Sequence, residues 1–332
     1  MQFLEHTLAN GLEVVAECNA EARSTALGFF VKTGSRDESD AIAGVSHFLE
    51  HMVFKGTPSR SADDVNREFD EMGAHYNAFT SEEKTVYYAA VLPEYLGSAV
   101  ELLADILRPS LREEDFNTEK QVIIEEIRMY DDQPPFGADD RCKALHFGPH
   151  PLARSVLGTV ESITNLPVAA MREYFQRRYS PGNIVLVAAG KLDFQQLVAV
   201  AERACGAWQK ASAPRVIAPA APASNFACVV RDSATQEYVI QLANGPAATD
   251  DDRFASKLLA TILGDDTGSR LYWELVDPGH AESASLSHHD YYGTGLYGTY
   301  LCCSPENTQE NLQRVYDVYS QAESEGCTSE EL

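Results

Sequence analysis

Apolar residues along this chain recur with two different periods. Thr85-Val86-Tyr87-Tyr88-Ala89-Ala90-Val91-Leu92 and Leu296-Tyr297-Gly298-Thr299-Tyr300-Leu301 are short runs rich in β-branched and aromatic residues, and they predict strands. Asn10-Gly11 is a hairpin-turn signal between apolar segments, so structure is expected to begin almost at Met1. Longer segments carry the helical period. Gly44-Val45-Ser46-His47-Phe48-Leu49-Glu50-His51-Met52-Val53-Phe54 places apolar side chains on two sides of a predicted helix, as a buried helix requires. Glu113 to Tyr130 reads as one long helix in which Val122, Ile123, Ile127 and Tyr130 recur near the helical repeat.

The order strand, Pro-Glu, helix occurs twice. Pro93-Glu94 opens a helix through Leu107, and Pro305-Glu306 opens one through about Ser320. Arg112-Glu113-Glu114-Asp115-Phe116 then starts the next helix, and Thr328-Ser329-Glu330-Glu331-Leu332 resembles that start. Between the two copies, Ala211 to Ala223 is rich in Ala and Pro with little periodicity, the composition of a linker. The expected division is residues 1–210, a linker over 211–224, and a second half over 225–332. On this repeat Leu332 falls at a helix start, so the second half is expected to be incomplete.

Candidate chemistry concentrates in the first predicted helix. His47 and His51 are four residues apart and stack on one helix face, with Glu50 close to the same face. The pattern is H-x-x-E-H, the inverted zinc-protease motif. A catalytic zinc takes three protein ligands and keeps a position for water, whose pKa it lowers to roughly 7. Two neutral histidines supply two ligands, and a carboxylate beside the water takes its proton and later delivers it to the leaving amine. Glu50 is placed for that second role.

A third ligand must come from elsewhere. In the long helix Glu119 and Glu126 are two turns apart and share a face, whereas Glu125 points about 100° away from Glu126. Carboxylates set in Val122-Ile123-Ile124-Glu125-Glu126-Ile127 have apolar neighbours on both sides.

Gly-Val-Ser-His-Phe-Leu-Glu-His-Met-Val-Phe-Lys-Gly-Thr at 44–57 resembles the active-site helix of the M16 peptidases, the family of pitrilysin, insulin-degrading enzyme and the mitochondrial processing peptidase. The likeness is strongest to the processing-peptidase β subunit and its bacterial relatives. Asn77-Ala78-Phe79-Thr80, Thr85-Val86-Tyr87-Tyr88, Val122–Ile127, His150–Gly158 and Ser180–Val185 are similar to further family segments, and the resemblance runs from about residue 3 to the end. It implies an α+β fold of two similar halves, each an antiparallel sheet packed with helices, enclosing peptide substrates. It implies one zinc per chain on His47, His51 and Glu126, with Glu50 as base and Glu119 near the metal; Glu125 is the competing ligand. It implies that a peptide lies along the edge strand at Asn77, Ala78 and Phe79, where main-chain hydrogen bonds make recognition loose in sequence.

One departure stands out. Active members of the family usually carry Arg-Gly-Leu-Ala-Tyr after a helix like Ser269–Leu275, and here Pro278-Gly279-His280-Ala281-Glu282 occupies that place. Neither the Arg nor the Tyr is present, with His280 and Tyr291 as the nearest substitutes.

Composition bounds the remaining classes. The 332 residues are 44% hydrophobic, ample for two cores, and no run of eighteen apolar residues is present to span a membrane. The N-terminus lacks the basic and apolar regions of a signal peptide. Seven irregularly spaced cysteines argue against a disulfide framework and for a reducing, cytoplasmic setting. A net charge of −24 makes nucleic acid an improbable partner; such acidity serves solubility, with an acidic chamber for cationic peptides as the functional alternative, and the family resemblance, not the charge, implies basic peptides. Gly264-Asp265-Asp266-Thr267-Gly268-Ser269-Arg270 lacks the lysine of a phosphate loop, and His288-His289-Asp290 would point to opposite faces of a strand. The leading expectation is a zinc endopeptidase, acting with a second copy or a paralogue. The alternatives are a non-proteolytic peptide-presenting subunit and a metal-dependent hydrolase of other substrates.

Overall fold

The computed structural model describes residues 1–135 and 137–332, which divide into two compact units. The first comprises Met1–Met129 and Arg154–Arg215, the second Tyr130–Ala153 and Val216–Leu332.

The first unit is built on six strands: β1 (Gln2–Thr7), β2 (Glu13–Cys18), β3 (Thr25–Val31), β4 (His75–Thr80), β5 (Thr85–Val91) and β6 (Ile184–Gly190). Their order is β1-β2-β6-β3-β5-β4, which leaves β4 on an edge. The sheet is not purely antiparallel, because β2 and β6 run parallel, with Glu13 opposite Val185. A parallel pair needs a long crossover, and here the chain from β2 to β6 carries most of the unit's helices. The helices of this unit are α1 (Val45–Val53), α2 (Ala62–Glu71), α3 (Leu96–Ile106), α4 (Glu113–Asp132), whose last residues belong to the second unit, and then, with α5 left to that unit, α6 (Val160–Asn165), α7 (Val168–Arg178) and α8 (Phe194–Cys205).

One apolar core joins the sheet to these helices. Phe29 and Tyr87 from the sheet, Phe48, Leu49, Met52 and Val53 from α1, and Phe116, Ile123 and Ile127 from α4 belong to it. Burying a side chain of this size contributes roughly 1.5–3 kcal/mol. Phe48 stacks on Phe116 with ring centroids 4.7 Å apart, which ties α1 to α4. The sequence-based reading of α4 needs correction at two positions. Val122 and Tyr130 are 47% and 50% exposed, and the buried stripe is Ile123, Ile124 and Ile127.

The second unit has three antiparallel strands, β7 (Glu237–Gly245), β8 (Ser283–Tyr291) and β9 (Thr294–Cys303), ordered β7-β9-β8. Its helices are α5 (Ala138–Phe147), α9 (Arg253–Gly264) and α10 (Thr308–Glu325). This division takes residues 130–153 out of the first half and splits the Ala/Pro-rich segment between Arg215 and Val216. Residues 130–153 belong to the second unit because Phe147 and Leu152 share a small core with Tyr291 and Leu296, and the Cys142 thiol reaches the Ile240 carbonyl.

The Ala/Pro-rich segment lacks helix and strand but does not hang free. Ser180 Oγ donates to the Ala211 carbonyl at 2.8 Å. Arg215 pairs with the buried Asp37, which also takes Arg178 at 2.6 Å. None of the seven cysteines forms a disulfide. Among the described residues no helix is long and apolar enough to cross a membrane.

Candidate metal centre

The start of α1 is built to hold one orientation. Gly44 precedes it at φ 90°, and a Cβ there would lie 2.5 Å from the Leu157 carbonyl oxygen, so only glycine fits. The first N–H groups of a helix have no partner within it. Here the buried carboxylate of Glu38 supplies one, accepting from the amides of Gly44 and Ser46 at 2.7 Å each. Burial pushes Glu38 up to about 7, against the pull of those two amides. With Phe48, Leu49, Met52 and Val53 in the core, His47, Glu50 and His51 are left on the opposite side of the short helix.

That side faces α4. The Glu126 carboxylate lies 3.8 Å from His47 Nε2 and 3.7 Å from His51 Nε2, and one ligand atom from each residue lies within 4.8 Å of the others. A tetrahedral zinc with bonds of 2.0–2.1 Å separates its ligand atoms by about 3.3 Å, so small side-chain adjustments bring the three onto one ion. Glu126 Oε2 and His47 Nδ1 are both buried without a hydrogen-bond partner. Leaving a buried carboxylate oxygen unpaired is costly, and a cation between the three side chains removes that cost. The donor set therefore fits a divalent metal of the zinc type.

The competing carboxylates are spoken for. Glu125 points outward and pairs with Arg128 at 2.5 Å, its side chain 70% exposed. Glu119 is buried, and both its oxygens are engaged, one with His51 Nδ1 at 2.9 Å and the other with Lys55 Nζ at 2.6 Å. An ionised carboxylate only accepts, so His51 donates from Nδ1, and in its neutral form the Nε2 lone pair is on the Glu126 side.

The electrostatics separate the two histidines. Burial and the neighbouring His51 push His47 down to about 4, so it is neutral near pH 7. Burial would also lower His51, but the Glu119 hydrogen bond and the charges of Glu126, Glu119 and Glu50 together carry it above the usual histidine value. Burial pushes Glu119 up, and its bonds to His51 and Lys55 outweigh that, leaving it below the usual carboxylate range. Glu126 is raised, chiefly by burial. Glu50 is raised by burial as well, in spite of the Thr80 hydroxyl that donates to its carboxylate at 2.5 Å.

Two family models together match nearly all of this chain. Residues 13–160 match the insulinase model of peptidase family M16, and residues 165–332 match the M16 inactive domain. An uncharacterized zinc protease of Mycobacterium bovis is 35% identical over 331 residues, covering 98% of this chain and 76% of the relative. The chain belongs to peptidase family M16. The family is one of zinc metalloproteases, and named relatives of this M16 chain are zinc proteases. A probable β subunit of the mitochondrial processing peptidase from Arabidopsis thaliana is 32% identical over 312 residues, covering 89% of this chain and 58% of that one. The crystal structure of a protease from Helicobacter pylori shares the fold, with a TM-score of 0.92 at 24% identity over 99% of this chain and 82% of that one.

In this M16 chain the Asn77-Ala78-Phe79 segment lies on the edge strand β4, bonded to β5 alone, with Asn77 opposite Tyr88 and Phe79 opposite Val86. Asn77 and Phe79 are exposed and Ala78 is half-buried, while Thr80 reaches Glu50 from the end of the strand. In the second unit, Pro278 to Glu282 form the turn between a π-helical segment, Tyr272–Val276, and β8. His280 is exposed there, and Tyr291 is a buried packing residue. Thr80 and Lys55 were not singled out by sequence reasoning. For Lys55 a signal was present, since it lies four residues beyond His51, one helical turn on.

Proposed function

We propose that this M16 chain is a zinc-dependent endopeptidase that holds one zinc on His47, His51 and Glu126. The observation that carries this reading is the buried Glu126 oxygen without a hydrogen-bond partner, facing two histidine Nε2 atoms at 3.7 and 3.8 Å. Bound there, zinc would acidify a water and polarise the scissile carbonyl.

The chain's own residues divide the remaining work. Glu50 is the general base: it accepts the proton of the attacking water and passes it to the leaving amine. Thr80 orients the Glu50 carboxylate through the hydrogen bond it donates. Glu119 holds His51 in the tautomer that keeps Nε2 free. The outer edge of β4, at Asn77, Ala78 and Phe79, adds the peptide as an extra strand, with specificity left to side chains on alternate positions. The net charge of −24 supports a preference for basic peptides or unfolded segments. Seven cysteines outside any disulfide support a reducing, cytoplasmic setting.

A second reading rests on Pro278 to Glu282, which stand in place of the family's Arg and Tyr. In that reading the chain presents peptides to an active M16 paralogue; the Arabidopsis relative bears the name of a subunit. The two readings part in one experiment, cleavage of a fluorogenic basic peptide by wild type and Glu50→Gln, with chelator and zinc add-back. The peptidase reading requires cleavage by the zinc-loaded wild type and a loss of about 1,000-fold or more in Glu50→Gln with zinc retained. No cleavage by zinc-loaded wild type, alone or as a homodimer, would leave the presenting subunit.

A further inference from the structure

Glu119 and Glu126 sit on the same face of α4, yet their surroundings are opposite. Glu126 has a buried oxygen with no hydrogen-bond partner among the described residues, and Glu119 has both oxygens paired. The second of those partners is Lys55, just past the C-terminal end of α1. Its backbone is also fastened, because the Lys55 amide donates to the Met52 carbonyl at 3.2 Å and Arg112 donates to the Lys55 carbonyl at 2.7 Å. A chain of contacts thus runs from Lys55 Nζ through the Glu119 carboxylate to His51 Nδ1, ending at the ring whose other nitrogen faces Glu126.

We propose that Lys55 is a positioning residue for the metal centre: it holds the Glu119 carboxylate in the orientation that fixes His51. The proposal rests on the metal assignment made above. Glu119 must present one oxygen squarely to His51 Nδ1, and a carboxylate held at one oxygen alone can rotate about its last side-chain bond. The short bond to Lys55 at the second oxygen removes that freedom. Without it the second oxygen is left in a site where the Glu119 side chain is only 6% exposed, with no donor in place. The His51 bond then loosens, and with it the aim of Nε2. Partners one step out from a metal ligand typically set metal affinity by about 10- to 100-fold. Lys55 is a further step away and its side chain is 39% exposed, which places its effect at the lower end.

The sign of the effect makes the idea testable. A lysine cation near a zinc site repels the ion, so a purely Coulombic role predicts that removing the charge tightens zinc binding. Positioning predicts the reverse. The measurement is the zinc dissociation constant of the whole chain, obtained by competition with a chromophoric chelator, for wild type, Lys55→Met, Lys55→Arg, Glu119→Gln and Lys55→Met/Glu119→Gln. The expected result is about tenfold weaker binding in Lys55→Met, recovery to within about threefold in Lys55→Arg, and no added loss from Lys55→Met once Glu119 is already Gln. Visible absorption of the cobalt-loaded forms gives a second readout, in which Lys55→Met alters the ligand-field bands and Lys55→Arg restores them. Unchanged or tighter zinc binding in Lys55→Met, or a full additive loss in the double variant, overturns the proposal while the metal site stands. A wild-type chain that binds no zinc overturns the metal assignment, and this proposal with it.

Discussion

Replacing Phe116 with Ala tests the joint between α1, which carries His47 and His51, and α4, which carries Glu126. Phe116 is 2% exposed in the core of the first unit, and its ring stacks on Phe48 with centroids 4.7 Å apart and planes 14° from parallel. Truncating a buried Phe to Ala costs about 3–5 kcal/mol, and loss of a stacked aromatic partner contributes about 0.5–1.5 kcal/mol of that. The upper half of the range is expected here, because Phe48 and the β-sheet residues around it are buried and have little room to collapse into the cavity. Phe116→Leu keeps most of the volume and should cost less than about 1.5 kcal/mol. Val122 lies on the same helix but is 47% exposed, so Val122→Ala should stay within about 0.5 kcal/mol. Unfolding must be read from the first unit alone. The chain has two tryptophans, Trp208 in the first unit and Trp273 in the second, so urea titrations followed by Trp208 fluorescence in a Trp273→Phe background isolate it. Because His47 and His51 ride on α1 and Glu126 on α4, zinc affinity should fall in the same order as stability. A loss below 1 kcal/mol in Phe116→Ala, or an equal loss in Val122→Ala, would refute the packing argument and the assignment of the buried face of α4.

Three further outcomes follow from the geometry. Glu126→Gln should weaken zinc binding by more than about 100-fold while Glu125→Gln leaves it within twofold, as measured by chelator competition; equal losses would reopen the choice of ligand. Asp37→Ala removes the carboxylate shared by two buried guanidinium groups, leaving Arg215 with Glu83 and Arg178 with backbone carbonyls, and should destabilise the first unit by about 3 kcal/mol in the Trp208-monitored titration. Glu38, raised to about 7 in the folded state, binds its proton more tightly there than in the unfolded chain. Its contribution to stability is therefore present at low pH and lost as pH rises from about 4.5 to about 7, a change on the order of 3 kcal/mol. Stability curves at several pH values should show that slope in wild type and lack it in Glu38→Gln.

Much of the candidate site could be read along the chain because its information is local. A helix places residues three and four apart on one face whatever surrounds it, so His47, Glu50 and His51 were legible as a group. The same rule set Glu125 apart from Glu126. The Asn10-Gly11 turn and the two strand–Pro-Glu–helix repeats were legible for the same reason, since turn chemistry and helix starts are decided within a few residues. The family resemblance extended this local reading over the whole chain.

Tertiary structure alone decided the rest, because pairing and burial depend on residues far apart in sequence. Nothing local indicates that β6 inserts between β2 and β3, making one parallel pair in the first sheet. Residues 130–153 join the second unit through Phe147 and Leu152, although they lie in the first half of the chain. Val122 has the composition of a core residue and is exposed, since the buried stripe of α4 is set by what packs against it. Sequence spacing put Glu119 and Glu126 on one face and could not tell their tasks apart. The fold separates them by supplying Lys55 and His51 Nδ1 to the one, and by leaving an oxygen of the other buried, unpaired and aimed at two histidines.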